Sequence, residues 1–181
     1  MSPTARATEA LLLIGTVGVG KTTVADAVGD LLVAQRTPHA VIDLDELRRS
    51  WPRPTDDPFD QVLELENLTA VATAYRRRGA RRLVLAGVLE RPGDRPAYAA
   101  AAGMPLVVCR LRADVDLVRA RLVSRHDGHE AELAWHLHRA GELDAVLAAA
   151  GIEDHVVDVD PHTPASAAAA VLHAVGWARD A

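Results

Sequence analysis

The chain has 181 residues, of which 49% are hydrophobic, and carries 20 Lys+Arg against 25 Asp+Glu for a formal net charge of −5. That length suits one domain, 1–181, with enough apolar material for a sizeable core, and the acidic balance argues against a nucleic-acid surface as its main business. The single cysteine, Cys109, excludes an internal disulfide and fits a reducing, cytoplasmic setting; no early apolar run is long enough to span a membrane, and Met1 to Glu9 lacks the charged start and apolar centre of a signal peptide. Aromatic residues are scarce and alanine is abundant, so the core is expected to be mostly aliphatic.

The first predicted strand, Ala10 to Ile14, runs into Gly15-Thr16-Val17-Gly18-Val19-Gly20-Lys21-Thr22, and Thr23 to Val28 follow at helical spacing. A buried strand, a glycine-rich turn and Lys-Thr opening a helix is the order of a P-loop. Glycines at 15, 18 and 20 let the backbone bring its N–H groups close to phosphate oxygens. Lys21 would place a positive charge between the terminal phosphates, the Thr22 hydroxyl would help hold magnesium, and the helix adds the partial positive charge of its N-terminus. Residues 15–23 are thus the expected ATP-binding segment.

The helix opened by Lys21 is expected to reach about Arg36, packing Val24, Val28, Leu31 and Leu32, before Thr37-Pro38 breaks it. His39 to Asp43 reads as a second strand entering a helical turn over 44–49, and 51–58 as an irregular proline-rich loop. Asp60 to Arg78 has helical spacing with Leu65, Leu68, Ala72 and Tyr75 on one side and Gly79 as its stop. Arg82 to Gly87 and Pro105 to Leu111 are nearly continuous apolar runs, as parallel strands covered on both faces should be. Helices are expected over 96–102, 114–124 and 130–150. A fifth strand spans 154–158, and a last helix, capped by Thr163-Pro164, runs to Val175. Alternating strands and helices imply a parallel sheet between helical layers.

The second strand ends in two carboxylates two residues apart, Asp43 and Asp45, which point to the same side if the chain is still extended there. They suit joint work on a metal or a hydroxyl, with Asp45 as the cap of the following helix as the structural alternative. The third strand ends in Leu85-Ala86-Gly87 without an aspartate, which turns attention for the metal to Asp43. With these pieces the chain resembles the small P-loop kinases of metabolites, the group of shikimate kinase, gluconate kinase, adenylylsulfate kinase and chloramphenicol phosphotransferase. The resemblance implies an α/β, three-layer P-loop NTPase fold with a five-stranded parallel sheet and a helical lid. It also implies a magnesium role for Asp43 and a hydroxyl-facing role for Asp45.

The lid is expected at about 119–132, where Arg121 and Arg125 have the Arg-x-x-x-Arg spacing that the resemblance assigns to closure over the phosphates; a solvated basic helix is the alternative. His126, His129, His136 and His138 read as surface histidines rather than a zinc site. Arg48, Arg49, Arg53, Glu90, Arg91 and Arg95 are candidates for the mouth of the cleft, with Glu90 as a second possible base or metal-shell carboxylate. Family analogy places adenine against 158–163. The expected activity is transfer of the γ-phosphoryl of Mg-ATP to a hydroxyl of a small metabolite or antibiotic-like molecule. Lys21, Asp45, Arg121 and Arg125 would be catalytic, and Thr22 and Asp43 would hold Mg2+. The alternatives are a nucleotide kinase and a nucleotide-binding regulatory ATPase. Expected partners are ATP and a small acceptor, with no nucleic acid and no membrane, the chain acting as monomer or homodimer.

Overall fold

The computed structural model describes residues 8–125, 130–160 and 163–178. In chain order these form β1 (Glu9–Ile14), α1 (Lys21–Ala34), β2 (His39–Asp43), α2 (Leu44–Leu47), α3 (Gln61–Arg77), β3 (Arg82–Ala86), a short 3-10 turn at Pro92–Asp94, α4 (Arg95–Ala102), β4 (Leu106–Arg112), α5 (Val115–Arg125), α6 (Glu130–Ala150), β5 (His155–Asp158) and α7 (Pro164–Ala174). The strands make one five-stranded sheet in the order β2-β3-β1-β4-β5. Every pairing is parallel, with Leu12 opposite Leu85 on one side and Val108 on the other.

The central strand decides the layering. Its residues Ala10 to Ile14 are all fully buried, and alternation sends Ala10, Leu12 and Ile14 to one face and Leu11 and Leu13 to the other. The first face packs on Leu68 and Ala72 of α3, Ala101 and Ala102 of α4 and Leu143 and Leu147 of α6. The second packs on Val24, Val28 and Leu32 of α1 and Ala168, Val171 and Leu172 of α7. Burying each large aliphatic side chain contributes about 1.5–3 kcal/mol relative to leaving it in water, so this strand is the thermodynamic centre of the sheet. No helix among the described residues is long and apolar enough to cross a membrane.

Some boundaries differ from expectation for local reasons. Helix α1 stops at Ala34 because Arg36 turns left-handed, at φ 53, with Thr37 N–H closing back on Leu32 O at 2.8 Å. Helix α2 is a single turn, and α3 starts after Asp60. The inward face of α3 is also rotated: Leu68 and Ala72 are buried as expected, but Tyr75 is exposed and the carboxylate of Glu64 is buried.

Candidate functional site

The C-terminal ends of the strands converge on the turn between β1 and α1. Gly15 makes that turn at φ 153, and a Cβ there would lie 2.6 Å from Leu111 O, so only glycine lets the loop pass β4 so closely. The Thr16 hydroxyl donates to Ala140 O and ties the loop to α6. No side chain caps α1 and no acidic residue sits in its first turn, so the positive end of this helix is left open at the loop. Lys21 Nζ lies 3.0 Å from Gly15 O and 3.2 Å from Thr16 O, folded back over the loop.

Beside the loop, the Thr22 hydroxyl donates to Asp43 Oδ2 at 2.7 Å, and Asp43 Oδ1 accepts from Asp45 N–H at 2.9 Å. Asp43 is therefore the cap of α2, which corrects the alternative that Asp45 caps it. Asp45 instead bonds Arg48, with its side chain 57% exposed. Arg48 reaches 3.3 Å to Glu64, and Tyr98 donates its hydroxyl to Glu64 at 2.6 Å. Burial pushes the Glu64 carboxyl above its ordinary range, partly offset by Tyr98 and Arg48. Burial and the neighbouring Glu64 together push the Tyr98 hydroxyl well up. The run Asp45-Arg48-Glu64-Tyr98 is a charged network anchored at its buried end.

The missing aspartate after β3 has a packing cause. A Cβ on Gly87 would stand 2.6 Å from Leu44 Cδ1, the first residue of α2. Glu90, the next carboxylate along, is bonded to Arg139 of α6.

Two cavities adjoin the loop, and a third lies beyond them. One of about 580 Å³ lies between α1, α5 and the start of α7, lined by Gly20, Thr23, Val24, Arg121, Val159 and Thr163. Arg121 donates to Val19 O at 3.0 Å, so its guanidinium already lies on the loop. A second, of about 390 Å³, is lined by Lys21, Thr22, Asp45, Arg48, Glu90 and Arg139 among others, and leads into a third of about 330 Å³. The structure thus brings Lys21, Thr22 and Asp45 to one cavity and Arg121 to the adjoining one. Of Arg125 only the backbone at the end of α5 is described, and the lid positions 126–129, with His126 and His129, lie outside the described residues. Of the proposed adenine wall, Val159 and Thr163 line the first cavity, Asp158 pairs with Arg112 instead, and 161–162 lie outside the described residues.

Several candidates for the mouth of the cleft do other work. Arg95 is held by Asp154 and the carbonyls of Leu106 and Ile152, away from the cleft. Arg49 pairs with Glu46 on the exposed side of α2, and Arg91 pairs with Asp94 on the third cavity.

No protein-family model and no curated protein sequence matches the chain. Its backbone matches solved structures over nearly its whole length. Shikimate kinase from Acinetobacter baumannii in complex with shikimate aligns at TM-score 0.61 and 15% identity, covering 94% of this chain and 93% of that one. The tunicamycin resistance protein of Deinococcus radiodurans aligns at 0.61 and 20% identity, covering 94% and 97%. The Mycobacterium tuberculosis APS kinase CysC in complex with AMPPNP and APS aligns at 0.56 and 20% identity, covering 94% and 98%.

The fold is that of the P-loop kinases.

Within this P-loop kinase fold the helix α6 contributes more to the cavities than the sequence reading foresaw. Trp135, His136 and Arg139 line the second cavity, together with Phe59 from the loop before α3. His136 and Arg139 were a usable signal, since they stand at helical spacing beside the buried Ala140 and Leu143. Glu64 and Tyr98 carried no such signal, because their meeting depends on α3 packing against α4.

Proposed function

We propose that the protein transfers the γ-phosphoryl group of Mg-ATP to a hydroxyl of a small metabolite or antibiotic-like molecule. What supports this above all is that Asp45 lines the same cavity as Lys21 and Thr22, its N–H and the Thr22 hydroxyl both bonded to the Asp43 carboxylate. Residues 15–23 would hold the phosphates, and the 580 Å³ cavity would take the nucleoside. Magnesium fits the donor set: a hydroxyl and a carboxylate oxygen 2.7 Å apart are hard ligands that leave room for water and phosphate oxygens. Among the described residues no group of three or more His, Cys, Asp or Glu is arranged to hold a metal, so the ion would depend on Thr22, Asp43 and the nucleotide itself.

The bound Mg-ATP supplies the electrophilic phosphoryl group and neutralises part of its charge. The acceptor hydroxyl would give its proton to Asp45 as its oxygen bonds to the γ-phosphorus and the bond from that phosphorus to the β,γ-bridging oxygen breaks, releasing ADP, and Arg48, fixed by Glu64, keeps that carboxylate in place. Lys21 and Arg121 balance charge on the transferring oxygens, and the segment 119–132, including Arg125, serves as the lid. The rival reading, a nucleotide kinase, needs an acceptor already ionised and surrounded by cations. Asp45 therefore separates the two. Asp45→Asn should lower kcat about a hundredfold or more with hydroxylated acceptors while ATP affinity changes little. Rapid phosphorylation of a nucleoside monophosphate, unaffected by this substitution, would replace the hydroxyl kinase with a nucleotide kinase.

A further inference from the structure

The second and third cavities share Arg48, Phe59, Val88 and Glu90 and form one continuous space beyond the P-loop. Arginines are plentiful on its walls, yet each of the deep ones is already matched. Arg48 is bonded to Asp45 and lies 3.3 Å from Glu64. Arg139 is bonded to Glu90 and lies 3.0 Å from Glu142, and its guanidinium also covers the Phe59 ring at 5.3 Å. Arg91 lies 2.9 Å from Asp94. Arg53 makes no ion pair among the described residues, but it is exposed on a loop whose Asp56 and Asp57 line the same space. Carboxylates therefore at least equal arginines here. An incoming anion would have to break an existing pair and leave a carboxylate behind, in the case of Glu64 a buried one.

Apolar surface is concentrated in the same place. The chain has only six aromatic residues, three Trp, two Tyr and one Phe, and Phe59, Tyr98 and Trp135 line this space. Phe59 is 47% exposed and Trp135 56% exposed, so core packing does not account for them. Rings that keep this much surface exposed on a cavity wall are suited to flat apolar ligands, even with Arg139 over one part of Phe59 and His136 beside Trp135.

We propose that the acceptor carries no anionic group and presents a flat, apolar or aromatic face, which stacks on Phe59 and Trp135 while its hydroxyl is delivered to Asp45. This rests on the phosphotransfer reading but concerns the acceptor space alone, and the two can fail separately.

The test loads the full chain with AMP-PNP and Mg2+ and titrates it calorimetrically with a matched set: 1-phenyl-1,2-ethanediol, mandelate, 1,2-butanediol and 2-hydroxybutanoate. The phenyl diol should bind about tenfold or more tighter than either mandelate or butanediol, and Trp135→Ala should erase most of the gain from the ring. Glu90→Gln, which loosens the hold on Arg139, should improve mandelate binding severalfold. Mandelate binding as tightly as the phenyl diol, no gain from the ring, or no binding by any member would overturn the proposal. Phosphoryl transfer from ATP is followed on the same set. Binding in the expected order without transfer would count against the kinase and keep the subsite, whereas preferred transfer to an anionic member would do the reverse.

Discussion

Asp43 joins two elements of the site, and its replacement by alanine or by asparagine separates what each bond does. It accepts the Thr22 hydroxyl at 2.7 Å and caps α2 through Asp45 N–H at 2.9 Å. Alanine removes both bonds. A lost N-cap costs about 1 kcal/mol, and a hydrogen bond to a carboxylate about 1.5 kcal/mol at the low end appropriate to a half-exposed site. The expected loss of about 2–3 kcal/mol corresponds to a Tm lower by about 5–10 °C for a chain of this size. Asparagine keeps an oxygen that can accept from Asp45 N–H, so its Tm should stay within a few degrees of the original. Its missing charge should instead appear in the metal dependence, as a half-saturating magnesium concentration raised about tenfold or more, with nucleotide affinity changing less. Thermal melts and magnesium titrations of ATP turnover on both variants decide the matter. An asparagine variant that melts as low as the alanine one, or whose magnesium curve overlays the original, would refute the reasoning and point the metal role toward Glu90.

Arg121→Ala should lower kcat about a hundredfold or more, since its guanidinium lies against Val19 O at the edge of the phosphate loop, and an unchanged kcat would make α5 a solvated basic helix. Asp154 offers a pH test of the fold. Burial works against its charge, but Val108 N–H at 2.9 Å and Arg95 outweigh this and hold its carboxyl below the ordinary value of 3.8. Because the native pKa is lowered, the stabilisation is complete above 3.8 and is lost as pH falls below it. Asp154→Asn should therefore lower Tm at neutral pH by about 2–4 °C, the equivalent of about 1 kcal/mol, and the gap should close in acid; a constant gap at all pH values would contradict the linkage.

The strands and the P-loop could be read from the chain because their signals are local. Apolar runs such as Leu11 to Ile14, and glycines spaced around a lysine, need no knowledge of distant residues. The departures lie where tertiary packing chooses between local alternatives. Asp43 and Asp45 are both good caps, and only the point at which β2 gives way to α2 selects Asp43. Helix α3 carries enough leucine and alanine to be rotated either way, and the phase adopted buries Glu64 because Tyr98 and Arg48 are there to meet it. Arg95 looked like a cleft residue by its distance from β3, but α4 carries it back toward Asp154. The wall built by Trp135, His136 and Arg139 depends on α6 crossing to the loop that holds Phe59, a contact between residues far apart in the chain.

The most direct test of phosphotransfer is the fate of the γ-phosphate in wild type and in Lys21→Ala. Lys21 Nζ lies 3.0 and 3.2 Å from backbone oxygens of its own loop, and its side chain is only partly buried and outside the core, so the variant should keep its melting profile. With ATP labelled at the γ position and a pool of uncharged hydroxylated compounds, the wild type should place label in a phosphate ester, and Lys21→Ala should do so about a hundred- to a thousandfold more slowly. Label that stays in ATP, label released only as free phosphate, or equal rates in the two proteins would contradict the account.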